Sequence, residues 1–232
     1  MREVVLDTET TGLDPADGHR IVEIGCLELN DHFPTGANYH TYINPERDMP
    51  PEAMRVHGLS AEFLADKPVF AAVVAGFLDF IGDAPLVIHN ASFDLKFLNA
   101  ELVRLGHESL PDERAIDTLA IARLKFPGAR VSLDELCKRF AIDLAVRSKH
   151  GALVDSELLA QVYLELIGGR QKRFALAPAD VLAVADEDTR PVRVRPESLA
   201  SLLTPAERAA HAAFVAKELG GAALWNAAPA AK

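Results

Sequence analysis

The sequence predicts an α/β fold, a mixed sheet flanked by helices, followed by a C-terminal stretch of different character. Three observations carry this reading. Strand-like apolar runs separated by short turns open the chain, the pattern of an antiparallel meander. After Ser60 the apolar spacing becomes three and four residues, with two short strand-like runs between the helical stretches, the alternation of a partly parallel sheet. Beyond Gly169, Pro178, Pro191, Pro196 and Pro205 break up a weakly periodic segment, as in a flexible tether.

Each element has its own signal. Val4, Val5 and Leu6 mark a buried strand over 3–7, followed by strands over 21–29 and 38–43. Residues 69–81 form the first clear helix. Leu86–Ile88 is a short buried strand, leading into a helix over about 92–106 with Phe93, Phe97, Leu98, Leu102 and Leu105 on one face. Ala115–Asp117 adds a brief fifth strand before a helix that runs through Lys125. Ser132-Leu-Asp-Glu135 opens another helix as a capping box. A long helix over 151–167 is closed by Gly168-Gly169. The expected organisation is a domain over 1–169, a linker over 170–203 and a terminal segment over 204–232 with an amphipathic stretch at 205–219.

Composition narrows the function classes. Of 232 residues, 49% are apolar, enough for a substantial core. No apolar run reaches the length of a membrane span, and Met1-Arg2-Glu3 leads straight into a strand instead of a signal peptide. A cytoplasmic protein without a membrane partner is expected. Cys26 and Cys137 sit in apolar patterns and read as buried free thiols. Residues 1–169 hold 15 basic against 27 acidic residues, a balance of −12, while 170–232 hold 9 against 7, a balance of +2. So acidic a body does not grip duplex DNA by charge alone, although an enzyme that recruits cations and relies on a partner remains open.

The chemistry lies in four acids and one histidine. Alternation along a strand projects Asp7 and Glu9 from one face, where they repel unless protons or cations neutralise them. Asp94 falls in the first turn of its helix, a place that suits any acid but here lies at a strand's C-terminal end facing a shared crevice. Asp155 shares its helix arc with Leu158, Leu159, Val162 and Leu166, an arc expected to pack on the sheet, where an acid needs a partner or a metal. His150, before Gly151, offers an imidazole, the side chain best suited to take up a proton in neutral water. The resulting expectation is that Asp7, Glu9 and Asp155 hold one divalent ion, that Asp7 reaches a second, and that Asp94 assists directly or through water. His150 then takes the proton from the water that attacks a phosphodiester. Asp117 is expected only to cap its helix, with His89 and Asn90 supporting the site from behind.

Asp7-Thr-Glu-Thr-Thr-Gly12, His89-Asn-Ala-Ser-Phe-Asp94 and His150-Gly-Ala-Leu-Val-Asp155, in this order, resemble the three motifs of the DEDDh 3′–5′ exonucleases. The likeness is strongest to the epsilon-type proofreading branch that serves bacterial replicative polymerases. Arg20-Ile-Val-Glu-Ile-Gly25, Val56-His57-Gly58, Phe126-Pro-Gly128 with 132–137, and 152–163 extend it over the first 169 residues. The resemblance implies a ribonuclease-H-like fold and catalytic positions for Asp7, Glu9, Asp94, His150 and Asp155. It also implies two divalent cations, Mg2+ or Mn2+, and release of 5′-mononucleotides from a single-stranded or frayed DNA 3′ end. Thr10, Glu52, Val56, His57 and Phe93 match positions that contact the terminal nucleotide.

The tail extends the resemblance. Gln171-Lys-Arg-Phe-Ala-Leu176 is similar to a clamp-binding peptide, with Gln171, Phe174 and Leu176 as its anchors. Residues 204–232, with Trp225 as the apolar anchor, are similar to the segment that binds the polymerase catalytic subunit. Two other readings stay open at this stage: a free-standing exoribonuclease of the same family, and a bridge between sliding clamp and polymerase whose nuclease is incidental.

Overall fold

The computed structural model describes residues 1–144, 150–168 and 203–219. The chain divides into two compact units, Met1–Phe174 and Ala175–Lys232. In the first, β1 (Arg2–Thr10), β2 (Ile21–Asn30) and β3 (Phe33–Tyr42) form an antiparallel meander, and β4 (Leu86–Ile88) and β5 (Ala115–Asp117) add parallel strands on the other side of β1. The order β3-β2-β1-β4-β5 is the expected five-stranded mixed sheet. Among the described residues no helix is long and apolar enough to cross a membrane.

The helices are α1 (Pro51–His57), α2 (Ala61–Leu64), α3 (Phe70–Ile81), α4 (Ala91–Arg104), α5 (Thr118–Lys125), α6 (Leu133–Arg139) and α7 (Ala152–Leu166). They cover both faces of the sheet. Val4 and Leu6 of β1, with Ile24 and Cys26 of β2, pack against Phe77 and Ile81 of α3 and Phe97 and Leu98 of α4. Val5, Leu29 and Val87 face the other way, onto Leu159, Ala160 and Tyr163 of α7. Both cysteines are buried and neither forms a disulfide, as expected.

Several boundaries differ from the sequence reading. β1 continues past residue 7 to Thr10, so Asp7 and Glu9 both lie within the paired strand. β3 starts at Phe33 instead of 38, because Asp31 (φ 49°) and His32 (φ 70°) close a two-residue hairpin between Asn30 and Phe33. The helix α1 was not expected, although Pro51 at its first position and Gly58 in the left-handed conformation (φ 80°) are start and stop signals. Ser132 accepts from the Glu135 amide at 3.4 Å, but the Glu135 carboxylate turns to Lys138 at 2.8 Å, so only half of the expected capping box forms. On α7, Leu159 packs on the sheet, whereas Leu158, Val162 and Leu166 pack against Ala122, Leu136 and Cys137 of α5 and α6. The expected single arc is thus split between two partners.

Two contacts fix α7. At its start, a Cβ placed on Gly25 would fall 2.2 Å from the carbonyl carbon of Ala152 and 2.3 Å from the amide nitrogen of Leu153. Helix backbone therefore lies directly on strand backbone, and the Ser156 hydroxyl donates to the Gly25 carbonyl at 2.9 Å. Nearer its end, the Tyr163 hydroxyl donates to Glu3 Oε1 at 2.7 Å, and His32 Nδ1 lies 2.7 Å from Glu3 Oε2. Glu3 is fully buried, a position a carboxylate tolerates only when its oxygens are bonded. Burial and the Glu3 contact push the Tyr163 phenol upward.

In the second unit, α8 (Pro205–Phe214) begins with Thr204 and Glu207 in a reciprocal capping box and runs into a π-helical turn, Val215–Leu219. This lies within the expected amphipathic stretch at 205–219.

The Gly25 contact yields a stability prediction. Gly25→Ala forces α7 off the sheet and lowers unfolding free energy by about 1–3 kcal/mol, the usual cost of overpacking. Urea unfolding of the purified protein measures it, and an unchanged midpoint would mean that α7 shifts at no cost.

Candidate active site

The residues on the α7 face of β1 run Glu3, Val5, Asp7 and Glu9. In the sheet register Asp7 stands opposite Gly25, which stands opposite His40; Glu9 stands opposite Glu23, which stands opposite Tyr42. Because Gly25 has no side chain, the start of α7 settles beside Asp7 and brings Asp155 into the same space. Asp155 is 3% exposed, and its Oδ2 lies 3.1 Å from His150 Nδ1. One ligand atom from each of Glu9, His150 and Asp155 can be chosen so that all lie within 4.8 Å of one another.

Asp94 arrives from the opposite helical layer. Asn90 takes a left-handed conformation (φ 71°) just before α4, and its amide donates to Asp117 Oδ1 at 3.1 Å. Asp117 also caps α5 by accepting from the Leu119 amide at 2.9 Å, the capping role expected of it. His89 Nδ1 lies 2.9 Å from the Thr118 hydroxyl. The turn so formed buries Asp94 against β1, where its Oδ1 accepts from the Thr8 amide at 3.0 Å and the Thr8 hydroxyl at 2.7 Å.

The electrostatics are those of an unneutralised acid cluster. Asp7 is pushed well above the usual carboxylate range, first by burial and then by the charges of Asp94, Glu9, Asp155 and Glu23. Asp94 is pushed to about 7 by burial, against the opposing bonds from Thr8. Two carboxylates about 4 Å apart repel by roughly 4 kcal/mol at an effective dielectric constant of 20, so the cluster holds either protons or cations. Carboxylate oxygens suit a divalent ion, and the donors of Glu9 and Asp155 fit one, with His150 at its edge.

Beside Glu9 opens a cavity of about 480 Å³, whose lining includes Thr10, Glu52, Val56, His57 and Phe93. All five residues matched by resemblance to nucleotide contacts thus share one wall system. Val56 is half exposed, so it is not the core residue its type suggests. Phe93 is partly buried and leans on Phe97, with ring centroids 5.1 Å apart. His57 is buried, its Nδ1 accepting from the Leu59 amide at 3.0 Å.

The cavity also includes Gly12, which closes the first motif, and Leu13 and His19, which the sequence does not mark as site residues. The His19 ring lies over Gly12, where a Cβ would meet its Cε1 at 2.3 Å, and its Nδ1 lies 3.1 Å from the Thr11 hydroxyl. Arg20 anchors this segment to α4 through two bonds to buried Glu101, at 2.5 and 2.8 Å. The tail residues Gln171, Phe174, Leu176 and Trp225 lie outside the described residues.

Comparisons with known proteins agree with this geometry. The family model described as Exonuclease matches residues 4–163. The chain is 56% identical over 184 residues to the DNA polymerase III subunit epsilon of Rickettsia felis, covering 78% of this chain and 80% of that protein. It is 43% identical over 238 residues to the subunit of the same name from Salmonella typhimurium, covering 97% of this chain and 98% of that protein. Among solved structures it is similar to exonuclease X in complex with 5′-overhanging duplex DNA, with a TM-score of 0.57, 27% identity and coverage of 71% of this chain and 90% of that one.

A stability test follows from Asp94. A free carboxyl titrates near 4 and the folded Asp94 near 7, so between these values the folded state holds the extra proton and stability falls as pH rises. In chelator, the urea midpoint is therefore expected to be higher at pH 5 than at pH 8, with a smaller drop in Asp94→Asn. Mg2+ or Mn2+ should raise the pH 8 midpoint by binding the folded state. A wild-type drop no larger than that of the variant would contradict the assignment.

Proposed function

The chain belongs to the exonuclease family, in the branch of DNA polymerase III epsilon subunits, and we propose that it trims mispaired nucleotides from DNA 3′ ends as the proofreading part of a bacterial replicase. The observation that carries this reading is the acid cluster with His150 at its edge, opening onto a cavity that suits one terminal nucleotide.

In this reading Asp7, Glu9, Asp155 and Asp94 hold two divalent cations, Mg2+ or Mn2+. When bound, such ions supply an activated water and charge stabilisation for the leaving oxygen of a phosphodiester. The chain's own residues do the rest. With Nδ1–H directed at Asp155 Oδ2, His150 presents the lone pair of Nε2 and takes the proton from water. Asp155 thereby orients the imidazole as well as contributing charge. Phe93 and Val56 flank the splayed base or sugar, and Glu52 accepts from the 3′-hydroxyl, with Thr10 and His57 completing the contact. Contacts of this kind tolerate any base. Selection for errors arises because mispaired ends unpair more easily.

The partners belong to the same proposal. Residues 1–169 form the nuclease domain, 170–203 a linker, and 204–232 the segment that binds the polymerase catalytic subunit, with Trp225 as an anchor. Gln171, Phe174 and Leu176 within 171–176 engage the sliding clamp. Similarity to the Salmonella relative over 97% of the chain supports a tail with the same task. The place of action is the bacterial cytoplasm, at the replicating nucleoid.

End-labelled single-stranded DNA tests the catalytic assignments. The wild type should shorten it stepwise from the 3′ end with Mg2+ or Mn2+ and stop in chelator. His150→Ala should lower the rate about 10²–10⁴-fold, and Asp155→Ala should abolish measurable digestion. Wild-type rates in Asp155→Ala would sink the assignment. A chain ending at residue 169 should digest single strands normally yet fail to co-elute with the polymerase; retained co-elution would refute the division of labour.

A further inference from the structure

We infer that Glu23 and His40 form a positioning pair for His150, through the turn at Gly151 that starts α7. This inference rests on the reading of His150 as the proton acceptor and adds to it two residues that this reading does not use.

Glu23 is 3% exposed, flanked in its strand by the apolar Ile21, Val22, Ile24 and Cys26, and it stands opposite Glu9 in the sheet. Its charge is one of those that raise Asp7. A buried acid placed among other acids is costly, so its retention there calls for a specific contact. One contact is His40, whose Nε2 lies 2.7 Å from Glu23 Oε1. The His40 ring is itself held edge-on to Tyr42, with centroids 4.8 Å apart. The backbone after His150 passes beside the same carboxylate: a Cβ built on Gly151 would lie at ordinary van der Waals distance, 3.9 Å, from Glu23 Oε1. Gly151 is the N-cap of α7 and makes no side-chain capping bond.

Gly25 supports the backbone at 152–153 from below, while Glu23 bounds the residue just before it. The two together limit where the His150 Cα can lie, and so whether its ring reaches Asp155. His40 keeps the carboxylate turned toward that turn. Glu23 touches neither water nor phosphodiester in this scheme. It acts only through His150.

The test is a double-mutant cycle on the full chain with single-stranded DNA and saturating Mn2+. Glu23→Ala is expected to lower kcat at saturating Mn2+ about tenfold, part of what a placed proton acceptor contributes, with KM unchanged. Glu23→Gln keeps the shape and should retain most of kcat, which guards against a folding artefact in the alanine variant. In a His150→Ala background Glu23→Ala should cost nothing further, because coupled residues are not additive. Additive losses would overturn the pair's role while leaving His150 as the acceptor. Full activity in His150→Ala would overturn both.

Discussion

The candidate site depends on one contact, the seating of α7 backbone on Gly25. Asp7 and Glu9 are presented by β1 whatever the helix does, because strand alternation alone places them. Asp155 and His150 join them only because the strand beside Asp7 lacks a side chain at that point. The Ser156 bond to the Gly25 carbonyl and the Tyr163 bond to buried Glu3 hold the helix near both of its ends. With two fixed points on a rigid helix, Asp155 has little freedom of rotation or slide.

That rigidity is set against repulsion. Asp7, Glu9, Glu23, Asp94 and Asp155 are brought together by a scaffold that gains from apolar burial on both sheet faces. The scaffold holds negative charge at a density water would disperse. Hydrogen bonds from Thr8 and the pairing of Glu23 with His40 offset part of this cost. The remainder is an affinity for cations built into the fold. The same principle, a strained local charge held by packing elsewhere, recurs on a smaller scale in the Glu3–His32–Tyr163 contact, where hydrogen bonds alone suffice.

Much of this was legible in the sequence. The continuous apolar run Val4-Val-Leu6 reads as a buried strand whose alternation puts Asp7 and Glu9 on one face, and an acid on the apolar arc of the final helix marks Asp155 as unusual. What escaped was tertiary. The helix α1, which brings Glu52, Val56 and His57 to the cavity, is too short for periodicity to speak, and only Pro51 and Gly58 announce it. The first half of β3 is an exposed edge without apolar alternation, so its hairpin is visible only in backbone angles. The splitting of the α7 arc follows from the position of α5 and α6. Gly25 reads as a weakness inside a strand until the helix that needs the space is placed above it.

The acids of β1 and those of α7 come from opposite ends of the first unit's sequence, with every other element of the sheet between them. The ribosome completes Asp7 and Glu9 early and Asp155 near the end. A chain still being made, or one released short of α7, therefore carries part of the cluster but neither His150 nor Asp155. The order of synthesis thus brings the two halves of the cluster together only after α7 has been made.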